Sequence, residues 1–488
     1  SVHHAMKFCL VLIGGREVAL AQADFVHFAR QVNFIYDGNR RFSLSPTDFL
    51  LMNPNTRTCP VFRSKQDAEL TKKIYRNAPV FMREDDQESG NPWGIRFQAM
   101  FHMSADSHLF RSYHQLDSLQ ESYVPLYEAK MVHQFDHRWA CYETDGENSR
   151  DVTLAEKQDP NFTAKPRYWI AEWEVTQRIT PMYKGIFAAI NNRTVSEKLA
   201  NESLCKALAE WLIGHIQATE RIGEAQQWFK RISHAGLATA VGQCQKADWV
   251  RAAKNYPDTS LDENEFEQLI EAKDLWILMD EWIKRRRPRW LLGYRGITNA
   301  TNERTVISTI TPPTGMGNSV PCLLFIGVLD VHKVAVLQGN LASFTLDYIA
   351  RQKIGGTNFN IFIVKQLPVL PPSAYTQSDF DYIVPRVLEL TYTAHDLKPF
   401  AEDLGFYGEP FKFDPDRRAI LRAELDAYYA TLYGLSRDEL RYILDPADVM
   451  GADYPSETFR VLKNNDIKAY GEYRTGRLVL EAWDRLHT

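Results

Sequence analysis

Long apolar runs are missing from this sequence. Nothing approaches the roughly 20 residues that a membrane span needs, and the longest candidate, residues 8–15, is one strand long. With a mean hydropathy of -0.36, integral-membrane classes are excluded, and no signal-peptide pattern opens the chain. Cysteine is also scarce. Six residues (Cys9, Cys59, Cys141, Cys205, Cys244 and Cys322) are scattered with no C-x-x-C pair, which argues against a disulfide scaffold or zinc ribbon and for a reducing cytoplasm. Positive charge is not in excess: 57 Lys and Arg stand against 62 Asp and Glu, a net charge of -5. That excludes a protein coated in basic charge, such as a histone-like DNA packer. It does not exclude a nucleic-acid binder, because steering depends on where the cations lie. Internal repeats, low-complexity tracts, a phosphate-binding P-loop, G-x-G-x-x-G, G-x-S-x-G and H-E-x-x-H are all missing too.

What is present is an average globular composition, 44% hydrophobic and 24% charged over 488 residues. That length corresponds to about three domains. The chain opens Ser1-Val2-His3-His4-Ala5 and enters the apolar run at once, which reads as a chain cut from something longer. Strands are expected over residues 8–15, 24–29 and 48–52, and a helix over 64–77 with Ser64 as its N-cap and Asp67 in its first turn. Residues 92–175 favour strands, at 94–97, 125–132 and 168–173. Composition then shifts. Residues 195–287 are rich in Ala, Glu, Gln, Lys and Leu, with Trp211, Trp228, Trp249, Trp276 and Trp282 at helical spacings and breaks near Gly236, Gly242 and Tyr256-Pro257-Asp258. Strands return over 290–370, the proline-rich stretch at 367–372 is a boundary, and helices follow at 378–404, 414–432 and 436–444.

Three polar clusters could carry chemistry. The first runs from Tyr127 to Arg138 and includes Lys130, His133, Asp136 and His137. On a strand, His133 and His137 would lie about 13 Å apart at about 3.3 Å per residue, too far for one metal ion; a strand end that contacts a ligand or nucleic acid fits better. The second, from Tyr294 to Thr305, includes Arg295, Asn302 and Arg304. Arginine pairs bidentately with guanine and asparagine with adenine, although an Asx-rich turn with surface arginines has the same composition. In the third, from Tyr348 to Asn360, a helix from about Leu341 is expected to end at Gly355-Gly356. Arg351, Lys353, Thr357 and Asn358 would there meet a phosphate or a base edge. The basic run from Lys284 to Arg289 fits a solvated surface.

In this order the clusters resemble the C-terminal half of large bacterial N6-adenine DNA methyltransferases with a TaqI-like specificity domain, as found in restriction–modification and phage-defence systems. The phrases that carry the resemblance are Asn53-Pro54-Asn55-Thr56-Arg57-Thr58-Cys59-Pro60, Pro125-Leu126-Tyr127-Glu128-Ala129-Lys130-Met131 and Asn299-Ala300-Thr301-Asn302-Glu303-Arg304-Thr305. Further on come Asp347-Tyr348-Ile349-Ala350-Arg351-Gln352-Lys353-Ile354-Gly355-Gly356-Thr357, Lys365-Gln366-Leu367-Pro368, Tyr442-Ile443-Leu444-Asp445-Pro446 and Gly471-Glu472-Tyr473-Arg474. The resemblance covers most of the chain outside the helical stretch.

It implies an α+β fold: mixed strands and helices in a target-recognition domain, with a helical insertion and a helical C-terminal unit. Residues 1–60 would be the tail of a catalytic sheet, 61–194 and 290–372 the two parts of the target-recognition domain, 195–289 the insertion and 373–488 the C-terminal unit. The implied partner is double-stranded DNA, contacted by Lys130, His133, Arg295, Asn302, Arg304, Arg351, Lys353, Thr357 and Asn358. The family's N-P-P-Y/F motif, whose Asn and backbone hold a flipped adenine, is not matched: Asn53-Pro54-Asn55 and Asn91-Pro92-Trp93 each lack a proline. No cofactor is expected in this chain, and S-adenosylmethionine is expected for a full-length enzyme. An interaction module using the Trp-rich helices to dock partner proteins of a defence complex is the alternative. A nuclease acting through His133, Asp136 and His137 is a third reading.

Overall fold

The computed structural model describes residues 9–15, 17–18, 20–86, 89–118, 121–143, 145–255, 260–327 and 330–488. The fold is α+β, about half helix and a tenth strand, with several small sheets. The largest is antiparallel, its four strands in the order Ile95–Gln98, Cys322–Phe325, Leu291–Tyr294, Ser308–Thr311, with Leu323 opposite Phe97 and Leu292 opposite Ile310. A second, three-stranded sheet sets Tyr123–Tyr127 between Gly315–Met316, parallel, and Tyr168–Ala171, antiparallel. Both sheets combine strands from before and after the helical stretch.

The helices from Lys184–Asn192 to Leu275–Arg286 bury a core of their own, in which Trp211 and Trp282 meet edge to face at 5.8 Å. That core includes Met182 and Ile186, so the helical layer begins some ten residues before position 195. The expected break at Tyr256-Pro257-Asp258 lies outside the described residues. Residues 373–488 share one core with the main sheet: Leu292, Ile310, Leu341, Phe344, Ile383, Leu421 and Val479 belong to a single buried cluster, joined by Ile74 of the helix Lys65–Asn77. Among the described residues, no helix is long and apolar enough to cross a membrane.

Local signals explain several helices. Ser64 accepts from the Asp67 amide while Asp67 accepts from the Ser64 amide, closing a capping box at the start of Lys65–Asn77. The same device at Ser45 and Asp48, with Pro46 at the first helical position, makes Pro46–Met52 a helix where a strand was expected. The apolar run also departs from expectation. Residues 9–15 form no strand and are exposed, Leu10 at 87% and Leu12 at 100%. An apolar run becomes a strand only where a neighbour satisfies its backbone, and none of the described strands pairs with it. The helix expected from Leu341 is two helices, Val331–Ala342 and Phe344–Lys353. Ser343 divides them, its hydroxyl donating to the Asn340 carbonyl and accepting from the Leu346 amide.

Candidate nucleic-acid interface

The first polar cluster folds as a strand end followed by a 3-10 turn, Ala129–Met131, and not as a strand through residue 132. The turn exposes Lys130, whose Nζ lies 4.4 Å above the Tyr142 ring and donates to Ser149 Oγ at 3.2 Å. The Tyr142 amide donates to the Lys165 carbonyl at 2.8 Å, bringing a second basic segment alongside. Lys165 Nζ sits 3.7 Å above the Tyr113 ring, and the Arg167 guanidinium 5.1 Å from the Tyr168 ring. None of these three cations has a carboxylate partner among the described residues, unlike nearby Arg150, which pairs with Glu156 and Glu143. The three cations are thus interleaved with tyrosine rings on the protein surface, and a cation over a ring face is held there electrostatically.

Past Lys130 comes a further cation. Arg295, at the end of the strand Leu291–Tyr294, donates Nε to the Val132 carbonyl at 2.7 Å. Its remaining guanidinium donors have no partner among the described residues, and burial pushes its pKa down to about 10, which leaves it charged at neutral pH. Half-buried His133 lies next, its ring 4.3 Å from that of Trp139. Burial lowers its pKa well below the usual histidine value, and the charges of Arg295 and Arg422 lower it further. Arg422 projects from the helix Pro415–Leu432, half-buried and without hydrogen bond or ion pair among the described residues. Its own pKa is lowered by burial and then by Arg304.

Arg304 is committed to the interior. It is 6% exposed, its Nη2 donates to Asp426 Oδ2 at 2.9 Å, and its guanidinium stacks 3.4 Å above Phe344. Its Nη1 is buried with no acceptor. Gly339 permits this arrangement: a Cβ there would lie 2.8 Å from the Tyr429 hydroxyl, so only glycine lets the helices Val331–Ala342 and Pro415–Leu432 come this close.

The other expected contacts fall into two groups. Asn302, Thr357 and Asn358 are exposed on apposed loops that the Thr298 amide joins to the Thr357 carbonyl and the Phe359 amide to the Gly296 carbonyl. This polar ridge continues directly from Arg295. Arg351 and Lys353, by contrast, are committed to the interior. Arg351 pairs with Asp347 at 2.8 Å and donates to the carbonyls of Ala300, Asn302, Glu303 and Thr458. It shapes the loop that carries Asn302 and has no donor left for DNA. Lys353 Nζ donates to the Met52 carbonyl at 2.8 Å and to Asn53 Oδ1, and burial holds its pKa well below the usual lysine value. The expected DNA contacts of Arg351 and Lys353 are therefore replaced by structural roles, and the one donor that Arg304 has left, Nη1, is buried.

The remaining motifs are also structural. Asp136 is buried in an ion pair with Lys157 at 2.7 Å, and His137 Nε2 lies 2.9 Å from Asp396, so His133, Asp136 and His137 do not converge on one point. Both motifs that approach N-P-P-Y/F have fully engaged amides. Asn53 donates to the Thr58 carbonyl and accepts from Lys353, and Asn91 closes a two-bond turn with Ile95. Neither fits an adenine amino group.

Three residues of the interface were not singled out in the sequence: Lys165, Arg167 and Arg422. The interleaving of Lys165, Arg167 and Tyr168 was a usable signal. For Arg422 the local signal misleads, because Asp426 stands four residues on and the helical spacing rule would pair the two. Elsewhere, the helical layer holds a cavity of about 930 Å³ lined in part by Cys205, His234, Cys244 and Trp276. No family model, no curated protein and no solved structure matches this chain.

Proposed function

We propose that this chain is the DNA-recognition part of an adenine-specific DNA methyltransferase of restriction–modification or phage-defence type. It would orient duplex DNA so that a catalytic part, holding S-adenosylmethionine, can methylate a flipped adenine in the cytoplasm. The observation that carries DNA binding is the set of cations without carboxylate ion pairs: Lys130, Lys165 and Arg167 over tyrosine rings, Arg295 at the Val132 carbonyl next to them, and Arg422 on the helix Pro415–Leu432. In a chain of net charge -5, unpaired cations gathered along one path favour a polyanion partner. Phosphate contacts there would set the register, and the ridge of Asn302, Thr357 and Asn358 supplies groups able to read base edges. The methyltransferase assignment rests on the sequence phrases that flank these elements.

Charge reversal tests the binding. Lys165→Glu with Arg167→Glu should abolish measurable binding to duplex DNA by fluorescence anisotropy at low salt while leaving the melting temperature unchanged. Unaltered affinity would refute the reading. The methyltransferase assignment is tested separately by the genomic reading frame upstream of Ser1, which should encode N-P-P-Y/F after a glycine-containing motif. The cavity in the helical layer favours a second reading, docking of a protein partner, though Trp211, Trp228 and Trp282 are buried in that layer's own core and are not available as anchors.

A further inference from the structure

The helix Arg460–Tyr470 buries one of its 11 residues, and that one is Asp466, whose carboxylate turns inward to accept from the Thr475 amide. A surface helix usually covers a core with an apolar stripe. Here Ile467 and Tyr470 are 44% and 56% exposed, and Leu462 reaches the main core only half-buried. The helix is instead held by its start. Phe459, 1% exposed, meets Phe344 edge to face at 4.6 Å, and the Arg351 guanidinium lies 4.3 Å from the Phe459 ring. Arg351 donates to the Thr458 carbonyl and, with its other donors, to the carbonyls of Ala300, Asn302 and Glu303. Glu303 in turn accepts from the Asn465 side chain. These bonds tie the helix to the loop that carries exposed Asn302.

Residues four apart share a helix face. The face turned away from Leu462 and Asp466 carries Arg460, Asn464 and Lys468, all exposed. Asn464 and Lys468 have no side-chain hydrogen bond or ion pair among the described residues. Arg460 has one loose ion pair, with Glu457 at 3.6 Å, and Glu457 also lies 3.9 Å from Arg63. The helix's other lysine, Lys463, is taken by Asp445 at 2.5 Å. Its one acid, Asp466, is on the buried side, so the outer face holds an amide between two cations. From Arg460 to Lys468 it extends about 12 Å, at 1.5 Å per residue, the length of about three base-pair steps. A face that docks protein has an apolar centre depleted of charge. Asparagine and lysine side by side fit acceptor-rich base edges instead, asparagine on adenine and lysine on guanine.

We infer that the helix Arg460–Tyr470 is a base-reading element: it enters the major groove with Asn464 and Lys468 at base edges, Arg460 at a phosphate and Asn302 beside them. This deepens the DNA-binding reading and rests on it. The tie through Arg351 and Phe459 presents these side chains on a rigid support, which sequence reading needs.

The test selects duplexes from a randomised pool with the full chain and with the variants Asn464→Ala and Lys468→Ala. Both side chains are exposed and without partners, so each variant should keep the wild-type melting temperature. The wild type should enrich a motif. Each variant should still bind duplex DNA while its preference at one base pair of that motif falls about tenfold or more, and Asn464→Ala should leave the salt slope of binding unchanged. Variants that enrich the wild-type motif unaltered, or that lose affinity equally for every sequence, overturn the base-reading helix and keep the DNA interface. A wild type that binds no duplex sinks both, and leaves this face to a protein partner.

Discussion

Arg351 and Arg422 stand on helices that pack against each other, and each has an aspartate four residues away. Arg351 keeps its partner, Asp347, and uses its other donors on four backbone carbonyls. Arg422 loses its partner, because Asp426 turns to Arg304, which is 122 positions away in sequence, and to the Phe344 amide. One arginine thereby becomes a structural tie, and the other is left without an ion pair among the described residues, with Asp426, Glu303 and Asp466 acting on it only at longer range. The same residue type at the same spacing serves stability where its donors are satisfied and is free for a ligand where they are not. The proposed DNA interface uses the second kind of cation, from Lys165 to Arg422.

This contrast can be broken at either end. The largest effect is expected from Arg351→Ala, which leaves Asp347 charged and fully buried; removing one partner of a buried pair costs about 3–5 kcal/mol, read as a lower urea midpoint. The triple change Lys130→Ala, Lys165→Ala, Arg167→Ala should leave stability within about 0.5 kcal/mol, as for exposed sites. Its duplex affinity should fall, with a salt slope shallower by about 0.9 for each phosphate that is no longer neutralised. If these three cations were structural, the midpoint and not the slope would move. Arg422→Gln should raise stability in chloride by about 1 kcal/mol, the gain typical of removing a feature kept for function.

The smallest effect concerns pH. The folded pKa of His133 lies below the unfolded value of about 6.5, so the unfolded chain binds the extra proton first as pH falls. This contribution to stability is fully present above about 6.5 and is lost as pH falls through the lower folded value. His133→Phe should flatten the stability profile in that window, whereas an unchanged profile would place the titration elsewhere.

Helices announced by side-chain caps were legible in the sequence, as at Ser64, where two residues three apart settle the start. Elements that depend on a distant partner were not. The apolar run at 9–15 has the composition of a strand but no neighbour among the described strands, and residues 48–52 were drawn into a helix by Ser45 and Pro46. The site divides in the same way. Lys130, Asn302, Thr357 and Asn358 are exposed because they lie on turns and loops, whereas His133 and Arg295 are half-buried. Arg304, Arg351 and Lys353 look identical as residue types, yet their burial is decided by Asp426, Asp347 and Asn53, which reach them from elsewhere in the chain or across a helical turn.

If these cations receive duplex DNA, the affinity of the full chain for a duplex must fall across a salt series. Binding should weaken linearly on a log–log plot, with a slope of roughly -4.5 if Lys130, Lys165, Arg167, Arg295 and Arg422 all reach phosphates. No binding at low salt, or binding whose strength ignores salt, would contradict it.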